Sequence, residues 1–416
     1  MISRRIFLSL LGGAAAAPSF AWAQPNSRAV ALYASVGPDL THYDVDVDAA
    51  TLTRRGTVTL PAKVQYAWPH ASRRHLYVTS SDTGSGSDAT LGRVHHATAF
   101  RIDASGALTR HGSPIALPER PIHMTSDIPS EHVLIAFNTP SALRVYRING
   151  DATLGEEVKQ AETIDAGIYA HQVRVTADNR VAILVTRGHN AAEGRREEPG
   201  ALKIFRYMGG QLTKEVSVAP NGGYGFGPRH LDFHPAQPWV YVSLERQNAL
   251  SVFKMDGDTM HPQASFTKSS LAAPGNVRPR QIASTVHVHP NGRFVYIANR
   301  ADATTEFQGK PVFVGGENSL AVYAIDQETG EPTPIQHIDT RGIHCRTFHI
   351  DPSGRMLIAA HIMSRLVREG TTVRTVPACL SVFRIGGDGQ LDFVRKYDVE
   401  VGGNQMWWMG MVPLAA

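Results

Sequence analysis

Histidine, glutamate and arginine recur in this chain at repeating positions, and together such residues can bind an acidic small molecule and move a proton on it. One repeating position holds His171, Arg229, Ser284 and Arg346; another holds Arg187, Glu245 and Arg300. Arginine grips carboxylates and phosphates through paired, parallel hydrogen bonds. A histidine or a carboxylate among such cations is a candidate for proton transfer. Taken singly, each residue could equally belong to a surface ion pair or end a strand; the shared position singles them out as a set.

Those positions are defined by a repeat that runs through nearly the whole chain. A strand of the form aliphatic-aromatic-x-aliphatic recurs with its aromatic residue at Tyr43, Phe100, Tyr146, Phe205, Phe253, Tyr323 and Phe383, spaced 46 to 70 residues apart. Upstream of six of them lies a strand, a tight turn and a second strand, centred on Tyr77, Leu134, Ile183, Tyr241, Tyr296 and Ile358. The clearest turns are His289-Pro290-Asn291-Gly292 and Asp351-Pro352-Ser353-Gly354. Proline pre-sets the first turn angle and glycine accepts positive φ, while the flanking β-branched and aromatic runs suit hairpin strands. A unit of about four strands and roughly 50 residues is a propeller blade. The expected fold is therefore all-β, a seven-bladed β-propeller. Seven copies of one element and six of the other leave one inner strand missing, and Met406-Trp407-Trp408-Met409 is the candidate to supply it to the first blade. That would close the ring and leave no blade edge open, with Trp407 or Trp408 packed beside the strand of Tyr43.

Within a blade the antiparallel strands, lettered A to D from the axis outward, put the start of A and the end of B on one face. Counting nine residues back from the arginine (or its equivalent) after each turn reaches His171, Arg229, Ser284 and Arg346. Counting four on from the central Tyr or Ile reaches Arg187, Glu245 and Arg300. The B-to-C connections leave from the same face, and four are expanded: Thr79–Gly92, Gly188–Gly200, Asp302–Glu317 and Ile362–Pro377. Loop-rich faces are where sites gather.

The first residues read as a targeting segment, to be set aside from the fold. Ser3-Arg4-Arg5-Ile6-Phe7-Leu8 matches a twin-arginine export signal, an apolar stretch follows, and Ala21-Trp22-Ala23 fits a cleavage site. The expected organisation is thus a signal peptide over 1–23 and one propeller domain over 24–416, exported by the twin-arginine machinery to the periplasm, with no membrane attachment after processing. Removing 1–23 lowers the formal charge from +4 to +2, because Arg4 and Arg5 leave with it. A nearly neutral chain argues against a nucleic-acid partner. Nineteen histidines invite a metal, with His95-His96 and His287-x-His289 the densest pairs, but no third and fourth ligand follows at a recognisable spacing. No metal and no cofactor is expected. Cys345 and Cys379 could pair in an oxidising compartment, although two buried free thiols are the plainer reading.

Gly227-Pro228-Arg229-His230-Leu231-Asp232-Phe233-His234-Pro235, Phe294-Val295-Tyr296-Ile297-Ala298-Asn299-Arg300 and Arg346-Thr347-Phe348-His349-Ile350-Asp351-Pro352 resemble the seven-bladed propeller lactonase family. That family includes propeller-type 6-phosphogluconolactonases and 3-carboxy-cis,cis-muconate lactonizing enzymes. The resemblance implies a metal-independent site in the channel mouth, with His171, Arg229, Glu245 and Arg300 as catalytic residues. Arg187, Arg346, His230 and His287 are expected to bind substrate. The chain departs from the family pattern at Tyr169, where a second histidine is usual, at Leu244-Glu245-Arg246, at Pro235-Ala236-Gln237 and at Thr285-Val286-His287.

The first expectation is therefore a lactonase acting on a small acidic or sugar-derived lactone. His171 or Glu245 would activate water, and Arg229 and Arg300 would polarise the carbonyl. A cycloisomerase closing a lactone from a muconate-like diacid could use the same groups. A propeller that only binds is the rival from another class. An exported protein would not meet a cytoplasmic phosphorylated lactone, so an unphosphorylated aldonolactone or an acidic lactone of aromatic breakdown is expected.

Overall fold

A computed structural model describes residues 29–84 and 90–415; the expected signal peptide lies outside them. Seven four- or five-stranded antiparallel sheets follow one another along the chain as blades. The repeated aromatic residues all sit on C strands, from Tyr43 in Asp39–Asp46 to Phe383 in Cys379–Ile385.

The pleat explains how the ring holds together. Alternate residues of a strand face opposite sides, and each blade is sandwiched between two others. In Val30–Val36, the B strand of blade 1, Val30, Leu32 and Ala34 pack against blade 7, while Ala31 and Tyr33 pack against blade 2. Seven apolar clusters result, one at each interface between blades. The B-strand tyrosines add a polar tie. The hydroxyls of Tyr33, Tyr241 and Tyr296 donate to the carbonyls of Gly106, Gly330 and Gly389 in the outer turn of the following blade, at 2.7, 2.9 and 2.8 Å.

The ring closes through the C-terminus, three residues later than expected. The strand that pairs antiparallel with Val30–Val36 is Met409–Pro413, in register Ala34↔Met409 to Val30↔Pro413. The segment before it crosses the channel mouth. Met406 N–H donates to the Ile362 carbonyl of blade 7, and Ser35 N–H donates to the Trp408 carbonyl of the closing segment. Trp408 packs at the interface of blades 1 and 2 with Tyr33 and Leu40, whereas Tyr43 faces blade 7. Trp407 turns into the channel mouth instead.

Two expanded B–C connections build a sheet of their own. The hairpin Thr304–Phe307/Lys310–Phe313 of blade 6 and the hairpin Arg365–Glu369/Thr372–Val376 of blade 7 join by a parallel pairing at Val312↔Leu366. Both cysteines are buried free thiols. Cys379 lies against Nδ1 of His361 at 3.3 Å, and burial pushes its thiol up to about 11, which leaves it unreactive.

Candidate active site

The inner strands share a defect that aims their side chains. In A strands of blades 2, 3, 4, 5 and 7 one residue is skipped in the pairing with strand B: Gln65, Ile122, His171, Arg229 and Arg346, respectively. Blade 6 skips Ser284 and Thr285 against one partner residue. A β-bulge frees a residue from the ladder and redirects it. Here His171, Arg229 and Arg346 are thereby turned into one cavity of about 320 Å³ at the loop-rich mouth. Arg187, Glu245 and Arg300, from the ends of B strands, line the same cavity.

Glu245 is the hub of this cavity. Its side chain is 4% exposed. Arg187 donates to its Oε2, Arg300 Nη2 donates to Oε1 at 2.6 Å, and Arg229 Nε lies 3.1 Å from Oε1. Burial opposes its ionisation, but Arg187, Arg300 and Arg229 together overcome that and pull its carboxyl down to about 2. Glu245 is therefore a fixed anion and a weak base.

His171 stands in the opposite situation. It is buried, with Nδ1 lacking a hydrogen-bond partner among the described residues. Burial, and then Arg229, Arg187, Arg346 and Arg300, hold its pKa well below the usual histidine value. Its imidazole is neutral near pH 7, with a lone pair free to accept a proton. Of the two groups considered as base, His171 is the one left available.

The cavity is short of negative charge. Arg120, Arg187, Arg229, Arg280, Arg300 and Arg346 line it, against Glu245 and Asp302. Asp302 is already committed to Arg280 at 2.7 Å and to His344 Nδ1 at 3.1 Å. Burial and the neighbouring Arg300 push Arg229 down to about 9, and burial with Arg229 holds Arg346 well below an ordinary guanidinium. Nη1 of Arg229 is buried with no partner among the described residues. Arg346 Nη1 donates to the Trp407 carbonyl at 2.9 Å, and its guanidinium sits 3.8 Å from the centre of the Trp407 ring. An anion entering here would relieve several unsatisfied cations at once.

Several of these residues carry no mark in the repeat count. His344 accepts at Nε2 from Arg300 Nη1 at 3.0 Å and links it to Asp302. Tyr169 lies 4.3 Å beneath the Arg187 guanidinium, a cation–π contact. Tyr169 and His344 hold the same place in their blades, two residues before the bulge, and both adopt left-handed φ, 59° and 62°. Non-glycine residues take such angles at a cost of about 1–3 kcal/mol. Counting two back from His171 and Arg346 would have found them both. Counting two back from Ile122, the bulged residue of blade 3, reaches Arg120 in the same way, and Trp407 lies outside any such count.

His230 and His287, expected to bind substrate beside the others, line a different cavity. It is about 290 Å³ and lies farther along the same A strands. His230 follows its bulge and packs under His171, ring centres 5.2 Å apart. His287 faces Asp232 at 3.4 Å, with Arg174 at 3.0 Å from the same carboxylate. Ser284, at the mouth position by count, spends its hydroxyl on the Arg346 carbonyl at 2.8 Å and lines neither cavity.

A family model described as "Lactonase, 7-bladed beta-propeller" matches residues 29–369. The chain is 26% identical over 309 residues to a 6-phosphogluconolactonase of Pectobacterium carotovorum, covering 74% of this chain and 80% of that one. It is 24% identical over 329 residues to a 6-phosphogluconolactonase of Bacillus subtilis, covering 77% and 83% respectively. Among solved structures it is similar to a periplasmic gluconolactonase of Pseudomonas aeruginosa, with a TM-score of 0.68 and 20% identity over 92% of this chain and 99% of that one.

Proposed function

Because the chain belongs to the seven-bladed β-propeller lactonase family, we propose that it is a metal-independent lactonase that hydrolyses an unphosphorylated, acidic or sugar-derived lactone outside the cytoplasm. The observation that carries this reading is the ring of under-neutralised arginines around a neutral His171. Lactone hydrolysis creates negative charge twice, first on the carbonyl oxygen of the tetrahedral intermediate and then on the product carboxylate. Buried donors placed where that charge develops are the largest source of rate in such reactions.

In this mechanism Arg229 and Arg346 bind the carbonyl oxygen. Water attacks the carbonyl carbon as His171 takes one of its protons. The intermediate collapses, the bond between acyl carbon and ring oxygen breaks, and the leaving oxygen recovers the proton from His171. The positive field that keeps His171 neutral in the resting site is offset once the oxyanion forms, so the imidazolium is stabilised only when it is needed. Glu245 stays ionised throughout and holds Arg187, Arg229 and Arg300 in place.

Export is supported by the twin-arginine pattern of Ser3–Leu8 and the small-x-small Ala21-Trp22-Ala23, and a solved relative is itself described as periplasmic. The experiment is a pH-stat screen of the mature protein, from Gln24 onward, against aldonolactones and lactones of aromatic acids, with and without a chelator. Catalysed opening that survives the chelator is expected. Finding no lactone opened faster than in buffer would overturn the reading, and loss on chelation restored by added metal would overturn its metal independence.

A further inference from the structure

A second cavity adjoins the active site on the same mouth, and it is the larger of the two, about 480 Å³ against 320 Å³. The two share Arg120, Met363, Gln405 and Trp407 as a common wall. Ligand sites usually run from about 300 to 1,000 Å³, so the first cavity alone is of a size for one substituted ring. A phosphate or a single carboxylate would leave the second nearly empty.

The chemistry of the second cavity is one-sided. Its wall carries Lys63, Arg120 and Arg365, with Gln65 and Asn404 as neutral polar groups, and no carboxylate among the described residues. Arg120 is buried and fixed by donating Nε to Gln65 Oε1 at 2.9 Å. Gln65 is in turn the bulged residue of its A strand, the place held elsewhere by His171, Arg229 and Arg346. The device that aims the catalytic residues thus also aims a wall residue of this second space. Trp407 stands at the junction, half-buried, its indole Nε1 shielded and without a partner among the described residues.

We infer that this cavity is a second subsite for a polar, acidic unit joined to the reacting lactone, so that the preferred substrate is a disaccharide-sized aldonolactone whose second unit carries a carboxylate. The inference rests on the lactonase reading and deepens it. Lys63 and Arg120 take the carboxylate; Gln65 and Asn404 meet hydroxyls.

Gly403 supplies a clean test. It lines the cavity, a Cβ added there meets nothing within 4 Å, and its φ is not in the left-handed range. Gly403→Leu should therefore fill the subsite while leaving the fold and the reacting cavity intact. Three probes are compared by kcat/KM: glucono-1,5-lactone, cellobiono-1,5-lactone, and the cellobiono-lactone oxidised to a uronic acid at its non-reducing end. Each step along this series should gain about tenfold, as expected for a buried ring and then a charge-assisted contact. Gly403→Leu should erase both gains and leave glucono-1,5-lactone unchanged. Lys63→Glu, at an exposed position, should reduce only the second gain, by about fivefold. Equal or slower turnover of the longer lactones than of glucono-1,5-lactone would overturn the subsite alone. So would gains that survive Gly403→Leu. Failure to open any of the three would also overturn the subsite, and the lactonase reading would fall with it if no lactone of the wider screen were opened either.

Discussion

Replacing Glu245 by glutamine separates a counter-ion from a base. The substitution keeps the size of the side chain and removes the one carboxylate shared by Arg187, Arg229 and Arg300. It also sets an amide NH2 against guanidinium donors, donor facing donor. The size of the loss follows from the acidity of the group. Burial would raise its carboxyl, yet the three arginines draw it from 4.5 to about 2. At about 1.4 kcal/mol per pH unit, that corresponds to roughly 3 kcal/mol of net stabilisation of the ionised form. Removing one partner of a buried ion pair typically costs about 3–5 kcal/mol, which agrees. With an unfolding entropy of about 2 cal/mol/K per residue in a chain of this size, the melting temperature should fall by roughly 4 °C. Turnover should fall about 100-fold or more, because the donors for the oxyanion lose their anchor. Differential scanning fluorimetry and initial rates on the best lactone measure the two together. The sign of the pH dependence gives a further check. A carboxyl with a depressed pKa contributes stability above about 4.5 and loses it as pH falls toward 2, so the stability gap between wild type and Glu245→Gln should narrow over that window. A variant with lowered turnover but an unchanged melting temperature would refute the argument and restore Glu245 as a base.

Arg229→Met removes a buried cation that its surroundings push down to about 9; it should cost at least about 100-fold in rate while holding or raising the melting temperature, and a large fall in melting temperature would contradict this. Because burial and four arginines lower the pKa of His171, its reactive neutral form should persist in acid: kcat/KM should stay flat from about pH 8 to 6 and fall only well below the ordinary histidine value. An acid limb centred near 6.5 in the rate profile would exclude His171 as the base in this environment. Deleting Met409–Ala416 removes Met409, Met411, Val412 and Leu414 from the core. At about 1.5–3 kcal/mol each, that approaches the whole stability of a typical domain, so the truncated protein should fail to fold cooperatively by circular dichroism, and an intact melting transition would show that the ring does not depend on this strand.

The blades were legible because each writes the same pattern: a turn with proline and glycine, then a strand with a central aromatic residue. Seven copies of Tyr43-like residues mark seven C strands without ambiguity. The closing strand was misplaced by three residues because Trp407 and Trp408 look like strand residues, while one fills a blade interface and the other serves the mouth. His171, Arg229, Arg346, Arg187, Glu245 and Arg300 could be brought to one mouth by counting from the turns, since the repeat keeps its register there. The count also reached Ser284, but that hydroxyl is spent on the Arg346 carbonyl, and His287 lies three residues past the bulge, as Asp232 and His349 do in their blades, where side chains line the other cavity. Arg120, Tyr169 and His344 each sit two residues before a bulged residue, a place the count did not extend to, while Trp407 lies in the crossing segment, where no repeat register applies. Nor could any local pattern foretell that hairpins from blades 6 and 7 would pair with each other, as Val312 and Leu366 stand far apart in the chain.

The bulges separate two demands that most strands must meet with the same residue. Every other position on an A strand has to satisfy the ladder and pack between blades, so its side chain is constrained by the fold. The bulged residue pairs with nothing across the strand. A histidine, two arginines, a glutamine and an isoleucine therefore occupy equivalent places in one ring with the same backbone path around them. Substitution at these places alters what the channel mouth recognises without breaking the strand ladder, with Ile122 the one that also packs in the apolar cluster between blades 3 and 4. The propeller is in this sense a fixed frame with interchangeable teeth, and exchanging residues 65, 122, 171, 229 and 346 is the shortest route by which mutation, natural or designed, could give it a new substrate.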